Sequence, residues 1–116
     1  MSDLPELSPE DRKLVTLARA TRARTGAAEG AACRDLDGRT YAAATVDLPS
    51  LAVSAVGVCV AMAISSGSKG LEAVVVLGEA GQVAEADLAV VRDFAGEGVP
   101  VLTGDPRGAM VAAARS

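Results

Sequence analysis

The residue types that most often carry catalysis are few in this sequence. The chain contains no histidine, so no serine has an imidazole beside it to remove its proton. Ser54 stands at the start of an uncharged apolar segment and is the serine best placed to act as a nucleophile. Without a base it is better interpreted as a helix hydroxyl that bonds to the preceding turn. Serine-based hydrolysis is therefore not expected.

The two cysteines are the next candidates for chemistry. Cys33 and Cys59 lie 26 positions apart and have no C-x-x-C spacing, the pattern typical of zinc and redox sites. Cys59 is surrounded by valine and alanine, where burial raises the pKa of a thiol and makes it unreactive. We predict that both are small core residues in a reducing compartment.

The composition limits the classes of partner. The chain has 116 residues, which suits a single domain, and its formal net charge of −4 gives no field that attracts nucleic acid or an anionic membrane. The run RKLVTLARATRAR holds five basic residues but no aromatic residue, so we interpret it as a solvent-facing helix surface. The acidic start MSDLPELSPED has no signal-peptide pattern, and we expect a cytoplasmic location.

The N-terminal half is predicted to form a helix and a hairpin. Residues 1–8 are interpreted as a tail, with Ser8 as the cap of a helix over about residues 9–25. Pro9 suits the first helical position, and Asp11 stands at the capping-box position. Asp37-Gly38 separates two strand-like segments, so residues 29–35 and 39–47 are predicted to pair antiparallel.

The C-terminal half alternates between apolar strands and helices. The uncharged segment 48–68 is predicted to contain a helix, followed by a strand over 71–79, a helix over 84–95 and a strand over 99–104. Residues 105–116 are expected to form a last helix or a tail, with Asp105 as the cap. These elements predict one α/β domain over residues 1–116, a mixed sheet of about four strands with helices on both faces.

The uncharged segment is long enough to span a membrane, which is the alternative to a core helix. It contains Pro49, five serines and many alanines, and it has no aromatic residue to anchor it at the interface. A helix between the strands of one compact domain is therefore the favoured interpretation, and no membrane partner is expected.

Several segments together resemble the cytidine deaminases. EGAACRDLDGRTYAAATVD, then a helix ending AMAISSG and a strand LEAVVVLGE, are similar to a family that reads V-G-A-A-x-x-x-x-D-G-x-x-Y, N-V-E, and a helix opened by C-A-E or H-A-E and closed near A-x-S-x-G. The similarity covers roughly residues 12 to 103. It implies a three-layer α/β/α cytidine deaminase-like fold, and a zinc ion held by the Cys or His and by two cysteines of P-C-x-x-C.

The functional positions implied by this resemblance carry other residues. C-A-E falls on Ser54, Ala55 and Val56, so valine stands at the position of the proton-transferring glutamate. P-C-x-x-C falls on residues 83–87, which leaves Ser54, Ala84 and Asp87 at the metal-ligand positions. Between Leu48 and Gly70 there is no Asp, Glu or His. We therefore expect no catalytic residue, no bound zinc and no hydrolytic deamination.

Weak remnants of ligand binding are implied at three positions. N-V-E, which binds ribose in the family, falls on residues 45–47, so the resemblance implies remnants at Thr45 and Asp47, and a third at Ser54, which lies at the former metal site. Asp47 has an alternative interpretation as a helix cap or turn residue, and Asp87 as a charge favoured by the dipole of its own helix.

Three functions remain as hypotheses. The preferred one is a catalytically inactive member of the fold that acts by homo-oligomerisation, as a dimer or tetramer, or by binding a protein partner. The second is a nucleoside-binding or nucleotide-binding module without the chemistry. The third is an active deaminase with atypical zinc ligands, which the shortage of ligand residues makes the least favoured.

Overall fold

The computed structural model describes residues 6–116, which fold into a mixed sheet with helices on both faces. The described helices are α1 (Pro9–Thr25), α2 (Ala55–Ser65) and α3 (Glu85–Ala95). The described strands are β1 (Gly30–Asp35), β2 (Thr40–Ala44), β3 (Val46–Leu48), β4 (Leu51–Val53), β5 (Leu71–Leu77), β6 (Pro100–Gly104) and β7 (Met110–Arg115). The main sheet has the strand order β2-β1-β5-β6-β7, and β3 and β4 form a separate hairpin. The three-layer α/β/α prediction is confirmed, with five strands in the main sheet instead of about four.

Helix α1 begins and ends as the sequence predicts. The Ser8 Oγ accepts a hydrogen bond from the Asp11 backbone N–H at 3.1 Å, and Pro9 occupies the first turn. Gly26 ends the helix in the left-handed region at φ 67°. Of the predicted tail, residues 1–5 lie outside the described residues, while Ser8 belongs to the helix cap.

Strand β1 lies near the centre of the sheet and is built from very small residues. It pairs antiparallel with both β2 and β5, and its segment GAAC is fully buried. Ala32 packs with Leu14 and Ala18 of α1 on one face, and Ala31 and Cys33 pack in the core that contains α2 on the other. A Cβ at Gly30 would overlap the Ala18 carbonyl oxygen, so glycine is required for α1 to lie this close.

The uncharged segment 48–68 divides into part of the β3–β4 hairpin, helix α2 and the turn after it. Helices α2 and α3 cover the face of the sheet opposite α1, and α3 connects β5 to β6, which pair in parallel. Among the described residues, no helix is both long and apolar enough to cross a membrane.

The prediction of a last helix over residues 105–116 is wrong. The Asp105 carboxylate accepts hydrogen bonds from the backbone N–H groups of Arg107 and Ala109, which closes a turn completed by Gly108 at φ 95°. The chain then pairs antiparallel with β6 as strand β7. Its alanines favour a helix when considered alone, but the open edge of β6 offers a full row of backbone hydrogen bonds.

A buried carboxylate closes the β1–β2 hairpin. Asp35 is only 1% exposed and accepts hydrogen bonds from the backbone N–H groups of Asp37 and Arg39, both at 2.9 Å. Its other oxygen accepts from the Ser68 hydroxyl at 2.5 Å and from the Tyr41 hydroxyl at 3.2 Å. The hydrogen bond from Ser68 is the main cause that lowers the pKa of Asp35; burial opposes it, and the remaining donors add to it.

Replacing Asp35 with asparagine should lower the free energy of unfolding at pH 7 by about 2–3 kcal/mol, because the donors around it lose a charged acceptor. The pKa of Asp35 is lower in the folded chain than in the unfolded chain. The contribution of the Asp35 carboxylate to the free energy of unfolding is therefore fully present above its ordinary pKa of about 4, and it is lost as the pH falls through the pKa of the folded chain. Urea denaturation of wild type and variant across this range should show the difference shrinking toward acid pH.

The matched control for this prediction is Asp37→Asn, an exposed aspartate in the same turn, which should change the free energy of unfolding by less than about 0.5 kcal/mol. Equal effects of the two substitutions would contradict a special role for the buried carboxylate.

Candidate functional site

The N-termini of α2 and α3 meet at one hydrogen bond. Ser54 is the N-cap of α2, and its Oγ accepts from the Gly57 backbone N–H at 3.0 Å. The same hydroxyl donates to the Asp87 Oδ1 at 2.6 Å, a short distance typical of a hydroxyl bonded to a carboxylate. One side chain therefore caps α2 and joins it to α3.

Asp87 is the most buried acid on α3. It is 8% exposed and lies in the first turn, where the unpaired backbone N–H groups favour a negative charge. Ala84 is the N-cap of α3 and gives no side-chain hydrogen bond, and its carbonyl oxygen accepts from the Asp87 backbone N–H at 3.0 Å. Ser54, Ala84 and Asp87, which the resemblance places at the metal-ligand positions, therefore lie around this one junction.

A second carboxylate lies beside the junction. Glu29 directly precedes β1, and its backbone is held by Thr45: the Glu29 N–H donates to the Thr45 Oγ1 at 3.0 Å, and the Thr45 N–H donates to the Glu29 carbonyl oxygen at 3.1 Å. Burial, followed by the negative charge of Asp87, raises the pKa of Glu29. The nearby charge of Asp87 thus disfavours the ionised form of Glu29.

These elements border an open cleft with a volume of about 490 Å³. Its lining residues are Arg22, Ala28, Glu29, Thr45, Ser54, Glu79 and Ala80. The only lining cation among these residues, Arg22, already donates from its Nε to the Ala28 carbonyl oxygen at 3.1 Å. The lining of the cleft thus combines apolar surface with hydroxyl, carboxylate and guanidinium groups.

The structure separates the residues that the sequence singled out. Thr45 and Ser54 line the cleft, whereas Asp47 is exposed on β3 and is not a lining residue. Val56 is fully buried in the core under α2. Cys33 and Cys59 are both free and buried in this core, and a hydrogen bond with Cys33 together with burial raises the pKa of Cys59.

The residues at the junction do not fit a zinc centre. Ala84 has no ligand atom, Ser54 carries a neutral hydroxyl, and the Asp87 carboxylate already accepts the hydroxyl's hydrogen. Within residues 6–116, no three Asp, Glu, Cys or His side chains come together as a group that could hold a metal ion.

A comparison with models of known protein families shows to which family the chain belongs. A family model described as cytidine deaminase-like matches residues 7–108. The protein belongs to the cytidine deaminase-like family. No match was found among the curated proteins. The family assignment inferred from the hairpin and helix motifs is thus confirmed.

Solved structures of cytidine deaminases share the fold. The enzyme from Burkholderia pseudomallei is 21% identical, with a TM-score of 0.78 over 93% of this chain and 92% of that chain. The enzyme from Mycobacterium leprae is 18% identical, with a TM-score of 0.72 over 93% and 94%. The Mycobacterium tuberculosis enzyme is 21% identical, with a TM-score of 0.68 over 83% and 85%. At these identities the likeness concerns the fold of the cytidine deaminase-like family.

Sequence reasoning missed Glu29 and the pairing of Ser54 with Asp87. A signal for Glu29 did exist, because a hairpin in which Gly30 faces Ala44 must place residues 29 and 45 together at its open end. The Ser54–Asp87 contact joins residues 33 positions apart, so no local pattern predicts it, although the resemblance implies that both residues lie at one metal site.

Replacing Ser54 with alanine should lower the free energy of unfolding by about 1–3 kcal/mol, because α2 loses its cap and the Asp87 carboxylate loses a donor. Combining this change with Asp87→Ala should cost less than the sum of the two single changes. The coupling energy from the double-mutant cycle, measured by urea denaturation, is expected to be about 1 kcal/mol or more.

The control for this prediction is Ser66→Ala at the exposed C-terminal end of the same helix, which should have little effect. Additive effects of Ser54→Ala and Asp87→Ala would show that the hydrogen bond does not couple the two helices.

Proposed function

We propose that this cytidine deaminase-like protein does not carry out zinc-dependent deamination and acts through self-assembly or by binding a protein partner. The observation that carries the proposal is the 2.6 Å hydrogen bond between the Ser54 Oγ and the Asp87 Oδ1. Both residues stand at positions where the family resemblance implies metal ligands, and their side chains bond to each other.

The chemistry of these positions supports this proposal. A catalytic zinc needs three protein ligands and an open fourth position, and Ala84 supplies no ligand atom at all. A hydrolytic deaminase also needs a group that moves protons beside the attacking water. Val56, at the implied position of that group, is aliphatic and fully buried. No catalytic step can be assigned to these residues.

The hydrogen bond also gives a physical reason why the fold would persist without a metal. A metal ion shared by two helix N-termini holds the helices together, and its binding free energy adds to the stability of the fold. Here Ser54 and Asp87 join the same two N-termini directly, and the carboxylate lies where the dipole of α3 favours it. Under this proposal the protein retains the packing of the fold and does not carry out the deamination reaction.

Wild-type protein purified without chelator should contain far less than one zinc ion per chain and should not deaminate cytidine in zinc-supplemented buffer. The triple variant Ser54→Cys/Ala84→Cys/Asp87→Cys should bind about one zinc ion per chain, because three thiolates would then surround the junction. Elemental analysis of both proteins, with a cytidine turnover assay, checks this prediction.

The matched control is the double variant Ser54→Cys/Asp87→Cys, which lacks the third thiolate and should hold zinc more weakly than the triple variant. Stoichiometric zinc in the wild type together with cytidine turnover would overturn the proposal. Failure of the triple variant to bind zinc would contradict the assignment of these three positions.

A second candidate function is nucleoside binding, and the cleft beside the junction is the observation that favours it. The cleft is lined by the hydroxyl of Ser54 and the carboxylates of Glu29 and Glu79, groups that can accept hydrogen bonds from sugar hydroxyls. Its volume of about 490 Å³ is that of an ordinary small-molecule site.

Cytidine or uridine at about a hundred times its dissociation constant should then raise the free energy of unfolding by about 2.7 kcal/mol. Glu29→Ala should abolish this gain, whereas Asp47→Ala, which changes an exposed residue outside the cleft, should preserve it. Thermal unfolding with and without nucleoside measures the gain, and no stabilisation at saturating nucleoside would eliminate the second candidate while leaving the first.

We also propose that the protein works in the cytoplasm. Its two cysteines are free and buried in the core, which suits a reducing compartment.

A further inference from the structure

Strand β2 is a free edge of the main sheet. It pairs with β1, and within residues 6–116 no strand lies on its other side. The Asp35 backbone N–H donates to the Arg39 carbonyl oxygen, so the odd-numbered positions of this antiparallel ladder are the hydrogen-bonded pairs. The even-numbered residues of β2 therefore direct their backbone N–H and C=O groups away from β1, toward the open edge: Thr40, Ala42 and Ala44.

A groove of about 370 Å³ lies on the α1 side of this edge, and we call it the α1 groove. Its lining residues are Pro9, Arg12, Lys13, Thr16, Leu17 and Thr40. Arg12 and Lys13 are exposed, and neither forms a salt bridge with a described residue. The neighbouring Asp11 is already paired with Arg34 at 3.0 Å. The α1 groove thus presents two positive charges and, among the described residues, no lining acid.

A second groove, of about 390 Å³, lies on the α2 side of the same edge, and we call it the α2 groove. Tyr41 of β2 lines it together with Val58, Ala61 and Met62 of α2. No described residue in its lining is charged. Thr40 and Tyr41 are consecutive in β2, so their side chains point to opposite faces of the sheet. The free edge of β2 is therefore flanked by a cationic groove on one face and an apolar groove on the other.

These three features together specify the chemistry of a partner. Unpaired backbone groups at a sheet edge are completed by another extended strand, which adds to the edge. The side chains of an added strand alternate between the two faces, so every second one reaches the α1 groove and the others reach the α2 groove. Positive charge in the α1 groove favours carboxylates, and the apolar lining of the α2 groove favours aliphatic side chains.

A nucleic acid fits this surface less well. Its phosphates would match the charges of Arg12 and Lys13, but it has no row of N–H and C=O groups to pair with β2. No aromatic side chain lines the α1 groove, so bases have no surface on which to stack beside these cations. The free edge and the two grooves together favour a polypeptide.

We propose that an extended segment of a partner protein, in which acidic and aliphatic residues alternate, pairs with the free edge of β2. This inference rests on the proposed function, because it names the surface and the chemistry of the protein partner. The carboxylates of the segment lie beside Arg12 and Lys13 in the α1 groove, and its aliphatic side chains contact Tyr41 and Met62 in the α2 groove. Because β2 has 5 residues, the segment needs about five or six residues, an ordinary strand length.

The test uses the full chain and a fluorescein-labelled peptide of about six residues in which glutamate and valine alternate, a length typical of one strand. Fluorescence anisotropy measures its dissociation constant. A peptide with lysine in place of glutamate is the charge control. It should bind at least about tenfold more weakly, because like charges would then meet in the α1 groove.

Two protein variants locate the contact. Arg12→Glu/Lys13→Glu should weaken binding of the glutamate–valine peptide at least about tenfold, because it reverses the charge of the α1 groove. The chain should still fold, since negative charge is favoured near a helix N-terminus. The matched control is Arg115→Glu, which reverses an exposed charge on β7, at the opposite edge of the sheet. It should change the dissociation constant less than about twofold, because salt screens exposed charges that are far apart. Circular dichroism verifies that both variants are folded.

Methylation of the peptide backbone tests the strand pairing. One peptide is N-methylated on its glutamates and another on its valines, so the two have the same charge and composition. In an added strand only one of these two sets of N–H groups faces β2. One methylated peptide should therefore lose binding, and the other should bind as the unmodified peptide does. Equal effects of the two methylations would contradict pairing at the edge.

The expected result is a glutamate–valine peptide that binds the wild type and Arg115→Glu alike and Arg12→Glu/Lys13→Glu more weakly. No binding at the highest soluble peptide concentration would overturn the inference, as would equal binding to all three proteins. Tighter binding of a single-stranded oligonucleotide than of the peptide would assign the α1 groove to nucleic acid and would also overturn it. Zinc content and cytidine turnover, measured on the same wild-type sample, test the proposed loss of deamination independently.

Discussion

Close approach of backbone to backbone at strand β1 is the constraint on which the rest of the structure depends. The buried GAAC segment has almost no side-chain volume, so α1 packs directly on one face of β1 while the core under α2 forms on the other. A β-carbon at Gly30 would collide with the Ala18 carbonyl oxygen. Such a core depends on many close contacts and not on a few large side chains, since the chain has one phenylalanine and no tryptophan.

The same constraint positions the candidate site. Because α1 packs closely against the start of β1 at Gly30, the neighbouring Glu29 lies beside this contact, in the lining of the cleft, and its backbone is bonded to Thr45 of the hairpin. The Asp87 carboxylate on α3 accepts a hydrogen bond from the Ser54 hydroxyl, and the dipole of its own helix favours its negative charge. The pKa of Glu29 is raised because its carboxylate is partly buried and because the negative charge of Asp87 lies near it. The polar groups that determine the electrostatics of the junction are therefore two carboxylates and one hydroxyl.

Local rules predicted those parts of the fold in which the decisive partners are neighbours in sequence. The Ser8 cap, the Pro9 start of α1 and the Asp37-Gly38 turn each depend on a few consecutive residues, and each is confirmed. The last helix was predicted by the same kind of reasoning and is wrong, because the residues from Met110 to Arg115 satisfy their backbone groups on β6. Sheet pairing of this kind overrides the helix preference of alanine, and propensity contains no information about a distant free edge.

The sequence by itself determined the composition of the site: there is no histidine, there is no acid between Leu48 and Gly70, and the metal-ligand positions implied by the resemblance hold Ser54, Ala84 and Asp87. These properties depend on residue identity, which folding does not change. Only the tertiary structure decided that Ser54 bonds to Asp87, that Glu29 lies beside them, and that α2 is left with an uncharged face toward solvent. These contacts join residues far apart in the chain, so they depend on how the helices and strands pack against one another and not on any local pattern.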